Sequence, residues 1–220
     1  MAGTALLSFG LVDGRPVFMD DWDDSYFTID PSVERAFLDC SVGIGSVPAD
    51  CDPGISALVG SREHCQIVRT DGDRPASSLL DDWTGEVSRS WLDFARISIL
   101  LHRTRTHLAR RPIAEILHKA ASHPQDPSRA LSQTELLALA MRFSAVRRLI
   151  PIKRNCLLDS LAMIRWIGPS EQLALVFGVK LDPFAAHCWV QLEDCAVNDR
   201  LDHIAPFTPV RHLRCMPASR

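Results

Sequence analysis

The 220-residue chain has no apolar run approaching the roughly 18 to 20 residues that span a bilayer, so no transmembrane helix is expected. Its opening, MAGTALLSFGLVDG, lacks a basic segment and its apolar stretch is broken, which does not make a signal peptide. There is no CxxC or HExxH spacing and no phosphate-binding loop, so neither a metal nor a nucleotide cofactor is expected. There is no excess of basic charge either. A net charge of -3 gives no support to nucleic-acid or membrane-surface binding. Seven cysteines, an odd number at dispersed positions, do not form a disulfide framework. A cytoplasmic protein with reduced thiols is the expectation. What is present is a composition that buries a core, with 46% hydrophobic and 23% charged residues. The length allows one large domain or two small ones.

The first third is rich in Gly, Asp and Pro, and its apolar residues come in short runs. SFGLV and RPVFM flank Asp13-Gly14, a strong hairpin signal. SYFTID is a third strand, ending at Asp30-Pro31. PSVERAFLD starts a helix with Val33 and Phe37 on one face. PGISALVG reads as a short helix closed by Gly60, and HCQIVRT as a return strand. The polar stretch RTDGDRPASS, residues 69 to 78, reads as a linker. An open sheet edge beside a helix can take an extended peptide as an added strand.

From about Ser88 the period becomes that of a helix. Trp91, Phe94, Ile97 or Ser98, and Leu101 form one stripe, in a helix running to Arg110. Pro112 starts the next helix, with Ile113, Ile116, Leu117 and Ala120 inward, and SHPQDPS is a loop. Ser132 and Glu135 form a capping box before LLALAMRFSAVRRLI, which should stop at Ile150 because Pro151 follows. The arginines of these helices, Arg147-Arg148 included, read as solvated faces.

The stretch from Lys153 to Asp199 carries the chemistry. Cys156 opens the apolar helical run CLLDSLAMIRWI, where the helix dipole favours a thiolate. A buried structural cysteine would fit that place equally well. His187 changes the balance. In the strand HCWVQL, His187 and Trp189 share one face and Cys188 points to the other, into the core. Asp199 follows twelve residues after His187 and can orient its imidazole. Asp182, Asp194 and Asp202 are competitors for that role; Asp182 and Asp194 are placed towards solvent. A two-residue turn at Glu193-Asp194 would pair Cys188 with Asp199 and leave His187 on the wrong face. A longer connection or a bulge between Leu192 and Ala196 is therefore expected. Cys156, His187 and Asp199, on helix, strand and strand, have the order of a transglutaminase-like or papain-like site.

RNCLLDSLAM, LVFGVKLDPFAAHCWVQLED and VNDRLDHIAPFTPV resemble the C-terminal protease domain of the lasso-peptide B proteins, a branch of the transglutaminase-like superfamily. The pattern appears as Cys156, Gly178-Val179, Pro183-Phe184, Ala186-His187, Trp189-Val190 and Asn198-Asp199, with Cys188 where the family usually has Ala and Gln191 where it usually has Glu. The resemblance implies an α+β fold. A small winged-helix-like domain at 1–80 would recognise a leader peptide. A cysteine protease domain at 81–220, helical first and then an antiparallel sheet, would cut it. It further implies Cys156, His187 and Asp199 as catalytic residues, and a partner synthetase that closes a macrolactam ring. Tyr26, Phe27, Thr28 and Ile29 of SYFTID, together with Trp189, are the expected substrate-binding residues. Another acyl-transfer enzyme on the same core, an amidase or transglutaminase, or a non-catalytic peptide-binding scaffold, are the alternatives.

Overall fold

The computed structural model describes residues 6–41, 66–70, 74–83, 87, 90–121, 131–168, 170 and 172–214. The PGISALVG helix and the SHPQDPS loop expected above lie outside the described residues. Asp13 and Gly14 both take positive φ, 52° and 80°, the left-handed region that aspartate tolerates and glycine favours. They close β1 (Leu6–Val12) onto β2 (Arg15–Asp20) in antiparallel register, with Val12 opposite Arg15. β3 (Ser25–Thr28) adds to β2, and Asp30 then starts α1 (Pro31–Ser41). β4 (Gln66–Arg69) returns parallel to β1, giving the sheet order β3-β2-β1-β4.

A second sheet and its helices make up the rest. β5 (Ser77–Ser78) runs into α2 (Leu79–Asp82). Four longer helices follow: α3 (Trp91–Arg110), α4 (Ile113–Ala121), α5 (Gln133–Arg147) and α6 (Cys156–Ile167). The Ser132–Glu135 capping box is formed as read. β6 (Leu173–Leu181), β7 (Phe184–Leu192), β8 (Cys195–Ala196), α7 (Leu201–Ile204) and β9 (Thr208–Arg214) complete the chain. The sheet order is β5-β8-β7-β6-β9, antiparallel except where β5 meets β8. The architecture is α+β: a small sheet with a helix, then helices and a mainly antiparallel sheet. No described helix is long and apolar enough to cross a membrane.

Three expectations need correction. Trp91 is 76% exposed, and the buried face of α3 runs through Asp93, Ile97, Leu101 and Thr104. Asp93 is buried because Arg142 of α5 reaches it at 2.5 Å. Arg147 is not a solvated arginine but a buried one, described below. The segment read as a linker, 69–78, begins in β4 and ends in β5, so its last residues pair with Cys195 and Ala196 in the second sheet.

Strand alternation gives the first sheet two different faces. Leu7, Phe9 and Phe18 pack with Ile29, Ile67 and Phe37 of α1, with Phe9 and Phe37 edge-on at 4.9 Å. Val12, Val17 and Met19 face the other way, into the core that also holds α3, α5, α6 and the second sheet. β1 lies directly against β9. A Cβ on Gly10 would fall 2.2 Å from the Pro209 carbonyl oxygen, so only glycine fits there. Asp21 and Arg211, both nearly buried, pair across the same seam at 2.8 Å.

Candidate functional site

The start of α6 is held by two residues, Asn155 and Arg147. Asn155 caps it, its Oδ1 accepting from the Leu158 N–H at 3.0 Å. Arg147, 3% exposed, donates to Asp159 at 2.7 Å and to the carbonyls of Ile150 and Ile152. One guanidinium thus ties the loop after α5 to the first turn of α6. Cys156 stands at the first helical position, half-buried, with a free thiol.

His187 and Asp199 come together on β7 and on the segment after β8. The His187 Nε2–H donates to Asp199 Oδ2 at 2.5 Å. The route differs from the one expected. β7 and β8 are joined by a two-residue turn, with Leu192 opposite Cys195. Glu193 takes φ 53° without being glycine, and Gln191 braces the turn by donating to the Glu193 carbonyl at 2.7 Å. The pairing, however, stops early. The Val190 N–H is taken by the side chain of Asn198, at 2.7 Å, instead of by a backbone carbonyl. The backbone is therefore free to leave the ladder before Asp199, and no bulge is needed. Asn198 also donates to Ser160 of α6 at 2.8 Å, which ties this departure to the helix carrying Cys156.

The Asp199 carboxylate is held further by residues that the sequence did not single out. His203 Nδ1 lies 3.0 Å from both of its oxygens, and the Arg200 N–H donates at 2.9 Å. Ser78 donates to the Asp199 carbonyl at 2.7 Å, and Asp81 accepts from Leu201 N–H and Arg200 Nε. The contact of His203 at i+4 from Asp199 was visible as spacing; those of Ser78 and Asp81, about 120 residues away, were not. Phe207 and His203 lie 5.3 Å and 4.7 Å from the His187 ring.

Electrostatics set the protonation. Hydrogen bonding from the Cys188 thiol, and then from His187, lowers the Cys156 thiol to about 4 against the opposing effect of burial. Burial works against an imidazolium at His187, but hydrogen bonds to Asp199 and Cys156 outweigh it and raise that group to about 9. Burial also opposes ionised Asp199, and its contacts with His187, His203 and the Arg200 N–H bring it below the usual carboxylate range. Cys188 is a buried core residue, as read, but its thiol turns to Cys156 and lies 4.0 Å from Ser160. Its own ionisation is pushed well up, first by its hydrogen bond to Cys156 and then by burial. Both shifts favour the charged forms, a thiolate at Cys156 and an imidazolium at His187.

His187, Asp199 and His203 place ligand-type atoms within 4.8 Å of one another. Their 2.5 and 3.0 Å separations are those of shared protons. Neighbouring ligands of a tetrahedral zinc, with bonds of about 2.0 Å, stand roughly 3.3 Å apart, so the three act here as a hydrogen-bonded chain.

The residues expected to bind substrate separate. Phe27 stacks on Phe18 at 5.2 Å inside the N-terminal cluster, where Ile29 is also buried. Thr28 is exposed at the end of β3. Tyr26 faces the other way, onto the core that includes Cys156 and Cys188. Trp189 is 1% exposed beneath Phe207 and Ile204, with its ring 6.2 Å from His187.

The family described as the transglutaminase-like superfamily matches residues 98–212, more than half of the chain. The chain belongs to the transglutaminase-like superfamily. The match runs from α3 into β9, so it takes in Cys156, His187 and Asp199 and leaves the first sheet outside. Cysteine-peptidase or acyl-transfer chemistry is usual in this superfamily, and a thiolate beside an imidazolium is suited to both. No curated protein and no solved structure matches the chain.

Proposed function

We propose that this member of the transglutaminase-like superfamily is a cysteine peptidase that removes the leader from a ribosomally made lasso-peptide precursor, before a partner synthetase closes the macrolactam ring. The observation that carries the reading is the seating of a small sheet, with β3 at its edge, directly on the sheet that bears His187. Such an edge takes an extended peptide as an added strand. Residues 1–80 are thus assigned to leader recognition and 81–220 to cutting, both in the cytoplasm. Thr28, exposed on that edge, contributes to docking through its backbone.

In this reading the Cys156 thiolate attacks the carbonyl carbon of the leader–core bond. The Cys156 backbone N–H, unused at the helix start, is the first donor to the oxyanion. His187 gives its proton to the leaving amine, and the bond breaks to leave a thioester on Cys156. His187, now neutral, takes a proton from water, which attacks the thioester and releases the leader. Asp199 holds the imidazole in orientation through Nε2 and stabilises its charged form. Holding the leader on the first sheet uses remote binding energy to present one bond to the thiolate.

Incubation with the precursor encoded beside this gene, followed by mass spectrometry, tests the proposal. Two fragments whose masses sum to the precursor plus one water are expected, and none from Cys156→Ala. Attachment of an amine in place of water would make the chain an acyl transferase instead. Release of fragments by Cys156→Ala at the normal rate would remove Cys156 as the nucleophile.

A further inference from the structure

β3 divides its side chains between two bodies. Phe27 belongs to the N-terminal aromatic cluster and Tyr26 to the core behind the thiol. Tyr26 is the chain's only tyrosine. It pairs across β2 with Met19, itself buried in the core that contains Cys188. The Tyr26 ring lies 6.1 Å from Phe184, at an interplanar angle of 59°. Phe184 is the first residue of β7, three residues before His187, and is 56% exposed. An exposed phenylalanine and a half-buried tyrosine from the other sheet therefore meet at the start of β7, on the strand face that Cys188 shares and that packs towards the helix carrying Cys156. The Tyr26 phenol is pushed up first by burial, and then by its neighbours Cys188, Asp24, Cys156 and Asp21. Its hydroxyl is thus within electrostatic reach of the nucleophile.

We infer that Tyr26 and Phe184 form the wall that receives the substrate residues immediately before the cleaved bond, and that this wall selects apolar side chains there. The inference rests on the reading of Cys156 as nucleophile and of β3 as the docking strand. A leader held along β3 precedes the bond to be cut, so its last residues pass Tyr26 on the way to Cys156. Two aromatic faces offer burial to apolar groups. A carboxylate entering there would lose solvation and meet Asp24 in the turn before β3, with Asp21 behind it. An ammonium group would also lose solvation, with Asp24 as the carboxylate there to offset the loss, since Asp21 is already paired with Arg211. The first sheet is then more than a tether: it supplies one side of the specificity pocket.

The test uses the full chain and three peptidyl vinyl sulfones: acetyl-Leu-Leu, acetyl-Asp-Asp and acetyl-Lys-Lys. The Cys156 thiolate adds to the vinyl carbon, forming one C–S bond, and the resulting carbanion takes a proton from His187. Labelling rates are read by intact mass and divided by the iodoacetamide rate of the same protein, and peptide mapping locates the adduct. The Leu probe is expected to label Cys156 at least about tenfold faster than either charged probe. Tyr26→Ala and Phe184→Ala should each cut that ratio to about threefold or less, and Tyr26→Phe should keep it. Phe184 is exposed, so its variant reports even if Tyr26→Ala does not fold. An unchanged ratio in both alanine variants, or no preference in the wild type, overturns the inference while Cys156 labelling leaves the nucleophile intact. An adduct on another cysteine overturns both.

Discussion

The two sheets bury charge in different ways, and the difference separates structure from chemistry. At the seam between them, Asp21 of the first sheet's β2–β3 turn meets Arg211 of β9 as a closed pair, each partner about a tenth exposed. Arg147 and Asp159 are closed in the same way beneath α6. In the second sheet the chain of polar groups stays open. Asp199 is shared by His203 and His187, His187 leads to Cys156, and Cys156 is half-exposed. A closed pair keeps its charge between its two partners, although Asp21 Oδ1 and Arg211 Nε are left without a hydrogen bond; a chain that ends on an accessible thiolate can pass its charge to a substrate.

Breaking the closed pairs should change stability, and breaking the open chain should change reactivity. The largest effect is expected from Arg147→Ala, which leaves Asp159 and three carbonyls without their donor. A loss of about 4 kcal/mol in urea unfolding is expected, together with slower alkylation of Cys156. Gly10→Val places side-chain atoms into the Pro209 backbone and should cost about 3 kcal/mol in the same measurement. Asp21→Leu should cost about 2 kcal/mol, less than a fully buried pair because both ends keep some solvent. Adding Arg211→Met should recover most of that loss in a double-mutant cycle. Cys188→Ala should cost about 1 kcal/mol for the small cavity it leaves and raise the Cys156 titration midpoint, since it removes the thiol donor but not His187.

Much of this was legible locally. Asp13-Gly14, the Ser132–Glu135 box and the start of α4 after Pro112 each follow from chemistry within a few residues. The alternation that puts His187 with Trp189 and Cys188 in the core is equally local. What was misread depends on partners far along the chain. Trp91 is exposed because Asp93 needs Arg142, 49 residues away. Arg147 is buried because Asp159 and three loop carbonyls surround it. The two-residue turn was rejected because regular alternation was carried through to Asp199. The Asn198 side chain, substituting for backbone on Val190, ends that regularity. Ser78 and Asp81 could not be connected to Asp199 by any spacing, since β5 reaches β8 only in the folded chain.

The pH dependence of Cys156 alkylation by iodoacetamide, mapped to that residue, tests the open chain most directly. The folded thiol is depressed, so the thiolate is present above its midpoint; the imidazole is raised, so its charge is kept until higher pH. Reactivity should rise with a midpoint near pH 4 and change again near pH 9, where His187 loses its proton. A single midpoint at the ordinary thiol value of about 8.5 would contradict it, leaving Cys156 a helix-start cysteine with no activated partner.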